Sequence, residues 1–539
     1  MIPKGNARIS SLVITAMVVL SIYSVSLSAQ KTPAAAAKAA PAAPKTAPKA
    51  ASQVRMRWQD FISGAAGAKR LASLQAAITK MKSLDTAAPT SADFRRSWQY
   101  WANIHGYYGA TSPDGTVAAQ IQYLKNNNLS QYVPFYQGIN DQTAPDSIAT
   151  KIWATCQHSN PPQQANFFGW HRMYLYYFER VLRWASNDDT LRLPYWDYTD
   201  PSQLALPKEF QTQTATFYDA KRDADINNGA STLNKVSTNV NAALKDTNYI
   251  SYEGKIEEGI HGYVHCTVGP TCPVAHMGDV PVAGNDPIFY MHHANIDRLW
   301  ACWQNLHTTQ PGTWQTQQFS FVDETGTLQT QPVKNFMDST TLGYVYDNVN
   351  NCSRGAKVLT TAAQVAPAAG KMTVLNSSKN VAVNTASTSV DVSLPAPKVN
   401  DLLTQAKSGV ATELVLRDIT AQSDPGASSD VYIAKKEDPK TRVLVGTITW
   451  FGAFRHHGAT GPAKKTLTFD ITDQLQELGR ATAITVIIEA TRGRVPVDAS
   501  KVEGERAKAA AAFRADAKLT IGSIDLRQVA APPATTKKP

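Results

Sequence analysis

Seven of the eleven histidines in this chain of 539 residues fall into two blocks: His105, His158 and His171 in the first, and His261, His265, His292 and His293 in the second. Imidazole is the commonest metal ligand, and three from each block is the number that a pair of metal ions would need. In KIEEGIHGYVHC, His261 and His265 are four residues apart, so on a helix they share one face and can bind one ion. Zinc proteases with two such histidines carry a glutamate directly after the first. Gly262 stands there, which argues against that chemistry. In NDPIFYMHHANIDRLWACW, residues 285–303, His293 is expected to complete the second trio. His292 points about 100° away on a helical wheel and is expected behind the ligands or in packing. Asp297, four residues after His293 on the same face, either holds a ligand ring or makes a surface ion pair.

Helices must position these groups. Residues 285–303 open with Asp286-Pro287, which suits a first turn, and Ile288, Met291, Asn295, Leu299 and Cys302 recur near helical spacing. FFGWHRMYLYYFERVLRW, residues 167–184, places His171, Leu175, Phe178 and Leu182 on one face. Arg172, Glu179, Arg180 and Arg183 are expected elsewhere on its surface, with Glu179 and Arg183 able to pair. Residues 92–106 read as a further helix with Phe94, Trp98, Trp101 and His105 inward, although a lone histidine on an apolar face is more often a core residue than a ligand. His158 sits in the loop CQHSNPPQQAN, from which it can reach the same point. From Val54 to Leu84 the chain is expected to be helical, with Trp58, Phe61, Leu71, Leu74, Ala77, Ile78 and Met81 at three- and four-residue spacing.

The ends of the chain bound the function class. Residues 1–30 read as a secretory signal, with Lys4 and Arg8 before an apolar run; the alternative is an uncleaved anchor helix. Residues 31–53 are an Ala/Pro/Lys-rich tether that cannot bury a core. The formal charge is +10, yet residues 1–55 hold seven basic side chains and no acid, leaving +3 for the rest. The basic balance therefore points to no nucleic-acid partner, and no later stretch is apolar enough to hold the mature chain in a membrane. The mature protein is expected to be exported. In an oxidising compartment the cysteines can pair, and Cys266 with Cys272 could close a short loop; five cysteines leave one over.

Residues 54–346, through WANIHG, FFGWHRMYLYYFER, LPYWDY, HGYVH, HMGD and DPIFYMHHANIDRLW in that order, resemble the tyrosinase, catechol oxidase and haemocyanin family of type 3 copper proteins. The resemblance implies a mainly α catalytic domain, a four-helix-bundle dicopper core, with His105, His158 and His171 on copper A and His261, His265 and His293 on copper B. Six neutral imidazoles suit copper better than magnesium or calcium, and three per ion leave room for dioxygen as co-substrate. Cys156, two residues before His158, matches the cysteine that in some members forms a thioether to that histidine; the alternatives are a disulfide or a free thiol. Glu257 matches a glutamate proposed to position an active-site water. That water's usual second anchor, an asparagine, is Gly262 here, which implies weaker action on monophenols than on catechols. Val280 stands where plant members place a phenylalanine over copper B, implying a wider entrance.

Tyr344-Val345-Tyr346 resembles the motif that closes the family's catalytic domain, and residues 347–370 read as a linker. Residues 371–528 are expected to be a β-sandwich carboxy-terminal domain: 413–416, 430–433, 443–451, 467–470, 483–488 and 519–526 read as strands, the last after an Ala-rich helical insert. Residues 529–539 read as a disordered tail. SSDVYIAKK with GTITWFGAFRHHG is similar to the domain that covers the copper site of plant polyphenol oxidases, so this region either shields the entrance or is a permanently docked stabilising domain. His456 and His457 are expected to be structural. The resulting expectation is an exported polyphenol oxidase that takes small phenols and turns o-diphenols into o-quinones. The competing readings are a haemocyanin-like dioxygen-binding protein without turnover and a zinc hydrolase, which would need a general base.

Overall fold

The computed structural model describes residues 53–529 apart from 112–115, 140–151, 160–164, 271, 274–275, 309–311, 350–351, 353–371, 393–400, 403, 405–409, 454–462 and 482. The expected signal, the tether up to residue 52, most of the linker, His456 and His457, and the tail beyond 529 lie outside the described residues. Among the described residues no helix is long and apolar enough to cross a membrane.

Gly64–Ser83 buries Leu74, Ala77, Ile78 and Met81 and packs on the helix Phe167–Ser186, whose buried face includes His171, Leu175, Phe178 and Leu182. The stretch expected as one helix over residues 92–106 is two, Ala92–Arg95 and Trp98–His105. Ser97 makes the break, because its hydroxyl accepts from the Tyr100 N–H and so starts a new helix. A third histidine-bearing rod runs through Tyr249–Lys255, Ile256–His261 and Gly262–Val268, with a kink at Gly259, whose φ of −89° and ψ of −105° leave the helical region. The fourth is Ile288–Leu306, buried almost throughout.

Short strands tie these helices together: β1 (Gln53–Arg55), β2 (Ser231–Leu233), the hairpin of β3 (Gln318–Val322) and β4 (Leu328–Pro332), and β5 (Tyr344–Tyr346). Residues 54–55, expected to be helical, are instead extended, with Val54 opposite Val345 in a parallel β1–β5 pair. The extension lets the fully buried Arg55 reach Glu179 Oε2 at 2.8 Å and Asp297 Oδ2 at 3.2 Å. Asp297 also accepts from Arg172 Nε at 2.6 Å and from the Tyr344 and Tyr346 hydroxyls at 2.7 and 2.6 Å. It therefore neither orients a ligand ring nor lies on the surface. Arg172, expected on the outside, is fully buried and stacks 3.8 Å over the Trp300 ring. Glu179 does pair with Arg183, at 3.0 Å, but is itself buried. Cys266 pairs with Cys272 and Cys302 with Cys352, leaving Cys156 as a buried thiol.

The carboxy-terminal region holds β6 (Met372–Val383), β7 (Ser387–Val392), β8 (Ala411–Ala421), β9 (Ser428–Lys435), β10 (Asp438–Ile448), β11 (Ala463–Asp470), β12 (Ile484–Thr491), β13 (Arg494–Pro496) and β14 (Leu519–Val529). Two four-stranded antiparallel sheets result, ordered β10-β9-β12-β7 and β11-β8-β14-β6. The expected strands are present but longer, and the Ala-rich insert is the helix Val502–Ala512. β6 and β7 escape the sequence pattern because both are polar edge strands, which bury less than central ones. The run expected to stay extended to Phe451 stops at Ile448. Ala453 N–H then donates to the Trp450 carbonyl at 3.0 Å, and Gly452 takes a φ of +71°, so the chain turns at Trp450-Phe451.

Burial alone would raise the Asp297 pKa, and the facing Arg172 and Arg55 guanidiniums overcome that and hold it below the usual carboxylate range. A carboxyl depressed in the folded state contributes stability above its unfolded pKa, about 4, and loses it as the pH falls through the folded value. Asp297→Ala leaves Arg172 buried without a carboxylate and is expected to lower unfolding free energy by about 3–5 kcal/mol. Denaturant unfolding at pH 7 measures it, and the gap from wild type should shrink at strongly acidic pH.

Candidate metal centre

Six histidine side chains, His105, His171, His261, His265, His292 and His293, are at most 2% exposed. Backbone carbonyls fix four of the rings through Nδ1: Val280 O for His105 at 3.1 Å, Phe167 O for His171 at 2.7 Å, Glu257 O for His261 at 3.3 Å and Met277 O for His265 at 2.7 Å. Each such bond, made by an Nδ1–H, leaves Nε2 as a bare lone pair on the other side of the ring. Val280, expected at the entrance, thus acts through its carbonyl on the first block. Gly106 permits that approach, since a Cβ there would lie 2.5 Å from Val280 O.

Two groups form. One donor atom from each of His261, His265, His292 and His293 lies within 4.8 Å of the others, and His105, His171 and Cys156 make a second such group. The groups adjoin: the His171 and His293 rings stack at 4.5 Å and 6°, and His105 is 5.9 Å from His293. His158 is not in the second group; its Nδ1 bonds Glu257 Oε1 at 2.6 Å, and Ser159 N–H bonds Glu257 Oε2 at 2.5 Å. Both Glu257 oxygens are thereby engaged by the His158 loop. Cys156 Sγ lies 3.5 Å from His171 Nε2, and burial pushes its thiol well up.

The donors fit a soft-to-borderline metal. Burial, aided by neighbouring histidines, lowers His105, His261 and His293 well below the ordinary imidazole range; burial lowers His171 and His265 to about 3. All are neutral, as ligation requires. His261 Nε2, His292 Nε2 and His293 Nδ1 are buried with no hydrogen-bond partner among the described residues. Such orphaned nitrogens are costly unless a metal uses them. Neutral nitrogen donors suit copper and zinc, not magnesium or calcium.

Residues 95–249 and 219–306 match the family described as the common central domain of tyrosinase. The chain belongs to the tyrosinase and polyphenol oxidase family of type 3 copper proteins. Tyrosinase HcTyr1 of Hahella sp. (strain CCB-MM4) is 28% identical over 75% of this chain and 87% of its own length. A chloroplastic polyphenol oxidase of Malus domestica is 26% identical over 62% of this chain and 66% of its own. In fold, the chain is similar to a latent aurone synthase (TM-score 0.53, 19% identity, 90% of this chain and 91% of that one) and to a latent apple tyrosinase (TM-score 0.51, 21% identity, 90% and 99%).

The space beside His261 and His265 is filled from the carboxy-terminal region. Phe451 stacks on His265 at 3.8 Å and 12° and meets His261 edge-on at 5.4 Å. Gly262 lies against the same turn: a Cβ there would be tight against Thr449 Oγ1 at 3.1 Å and in ordinary contact with Phe451 Cβ at 3.7 Å. The sequence pattern put Phe451 in a strand and so missed it. It also gave no role to Phe289, which packs on His105 at 4.7 Å and His293 at 4.3 Å, nor to Tyr198 and Ser159. Phe289 and Tyr198 both lie in the quoted motifs, which was the available signal.

Glu257→Gln removes the charge that holds the His158 ring. The expected result is about a tenfold loss of affinity for the first-block metal alone. Titration of the metal-loaded protein with a competing chelator measures it, with the second-block metal released at the wild-type concentration.

Proposed function

We propose that this protein is an exported polyphenol oxidase in which His105, His158 and His171 hold one copper ion and His261, His265 and His293 a second. The observation that carries this reading is the 4.5 Å stacking of His171 on His293, which sets the group of His105, His171 and Cys156 beside that of His261, His265, His292 and His293. Copper bound there supplies the electron transfer by which dioxygen oxidises an o-diphenol to an o-quinone. The chain's own part is to hold neutral donors in place and to exclude water.

An aromatic substrate is favoured because the flat face of His265 already accepts an aromatic ring, that of Phe451. Phe451 carries no hydroxyl, so it fills the place of a phenol without reacting. Catechols are favoured over monophenols, because Glu257 is committed to His158 and Ser159, and Gly262 offers no side chain to anchor a water that would take a phenol proton. The carboxy-terminal β domain shields the site through the Thr449-Trp450-Phe451 turn, and substrate must displace that ring.

Burying a phenylalanine is worth about 1.5–3 kcal/mol. A substrate that competes with Phe451 therefore loses about ten- to hundredfold in apparent affinity. Copper analysis and quinone formation from a catechol, on wild type and Phe451→Ala, test the reading. The expected result is two coppers per chain in both, with kcat/KM raised by about that factor in the variant. Equal rates at full copper would remove the shielding role, while copper without quinone in either protein would mean a dioxygen carrier. Absence of bound copper would overturn the six-histidine assignment.

A further inference from the structure

Residues 276–280 hold one ring from each histidine block. The Met277 carbonyl accepts from His265 Nδ1 at 2.7 Å, and the Val280 carbonyl accepts from His105 Nδ1 at 3.1 Å. The placement of this one segment therefore aims an Nε2 lone pair in both halves of the centre. His276, which opens the segment, belongs to neither histidine block.

The His276 side chain is 2% exposed and is engaged at both nitrogens. Nδ1 bonds Asp219 Oδ2, and Nε2 lies 3.1 Å from the Tyr132 hydroxyl. Burial alone would raise the Asp219 pKa, and the facing His276 overcomes that and holds it below the usual carboxylate range. An ionised carboxylate only accepts, so Nδ1 carries the proton of this bond and the ring has one orientation. Asp219 is anchored in turn: its Oδ1 accepts from the Lys221 N–H at 2.8 Å and its carbonyl from Asn227 Nδ2 at 2.9 Å.

The backbone gives an independent reason to look for a grip here. His276 has a φ of +49°, in the left-handed region that glycine enters at no steric cost and other residues do not. The Asp279 N–H closes the turn by donating to the His276 carbonyl at 2.8 Å, and the Asp279 carboxylate accepts from the Tyr123 hydroxyl. A segment that needed only a tight turn would be served better by glycine at 276. A histidine held there is explained by what its side chain grips.

We propose that His276 is a positioning residue for both copper ions: gripped by Asp219 and Tyr132, it sets the Met277 and Val280 carbonyls that orient His265 and His105. The inference rests on the dicopper reading above.

The test loads the full chain with Cu(II), as wild type, His276→Gly and Asp219→Asn, and reads copper release to a chelator and the visible d–d absorption of the loaded protein. Glycine suits the backbone at 276 and removes the grip, whereas Asp219→Asn leaves residues 276–280 intact and removes the charge. His276→Gly is expected to release both coppers about tenfold faster than wild type and to shift the d–d band, with Asp219→Asn in between. A side chain that only stabilised the fold would leave the band of the folded, loaded protein where it is. Wild-type release with an unshifted band in His276→Gly overturns the proposal, as does faster release of one copper alone; if that variant does not fold, the same results in Asp219→Asn do so. A wild-type protein that binds no copper overturns the dicopper reading and this inference with it, while two coppers in wild type and unchanged variants overturn this inference alone.

Discussion

Desolvation of the histidines is the constraint on which the rest of this structure depends. A buried imidazole pays heavily to carry a proton, and six at close quarters pay more, so the centre exists only as a set of neutral rings. Neutral rings need one nitrogen satisfied from outside the centre. The carbonyls of Phe167, Glu257, Met277 and Val280 and the Tyr198 hydroxyl meet that need at five of the six. Aromatic neighbours such as Phe167 and Phe289 then keep water out while packing edge-on to the rings.

Placing helices accurately enough for this is the task of a second buried cluster, four residues along the helix from His293. Asp297 draws together Arg55 of β1, Arg172 of the His171 helix and the two tyrosines of β5. A buried ion cluster gains little net free energy after desolvation. What it does fix is register, because Arg172 is adjacent to His171 and any slip of either helix would leave a charge without its partner. The stacked pair His171 and His293 thus sits beside the ionic joint that sets the distance between their helices.

The contacts between the catalytic helices and the β region are of another kind. β2 and β13 pair over three residues, Tyr263 donates to the Gly493 carbonyl, and Arg492 and Arg494 face Asp223 and Asp225. Lys465 with Glu258 and Lys255 with Glu413 add ion pairs at 3.5 and 3.7 Å. Those that reach solvent, such as the Arg492–Asp223 pair, are more salt-sensitive than a packed core. Phe451 adds an apolar contact at this boundary, where it stacks on His265.

The sequence by itself pointed to the chemistry: histidine numbers and spacing, Gly262 arguing against one zinc mechanism, and the helical periodicity that turns His171, His265 and His293 inward. Local spacing reports which residues share a face of one element, and a joint motif order reports the family. It does not report what meets that face from elsewhere in the chain. Arg172 reads as a surface charge, and Asp297 as either a ring holder or a surface ion pair, because the guanidinium groups that meet Asp297 are over a hundred residues from it. Phe451 reads as strand until a turn at Gly452 is seen. Edge strands β6 and β7 bury few side chains and so carry little apolar signal. Tertiary structure alone decided these points, because each depends on desolvation and contact between segments distant in the chain, and neither leaves a periodic trace in the residues themselves.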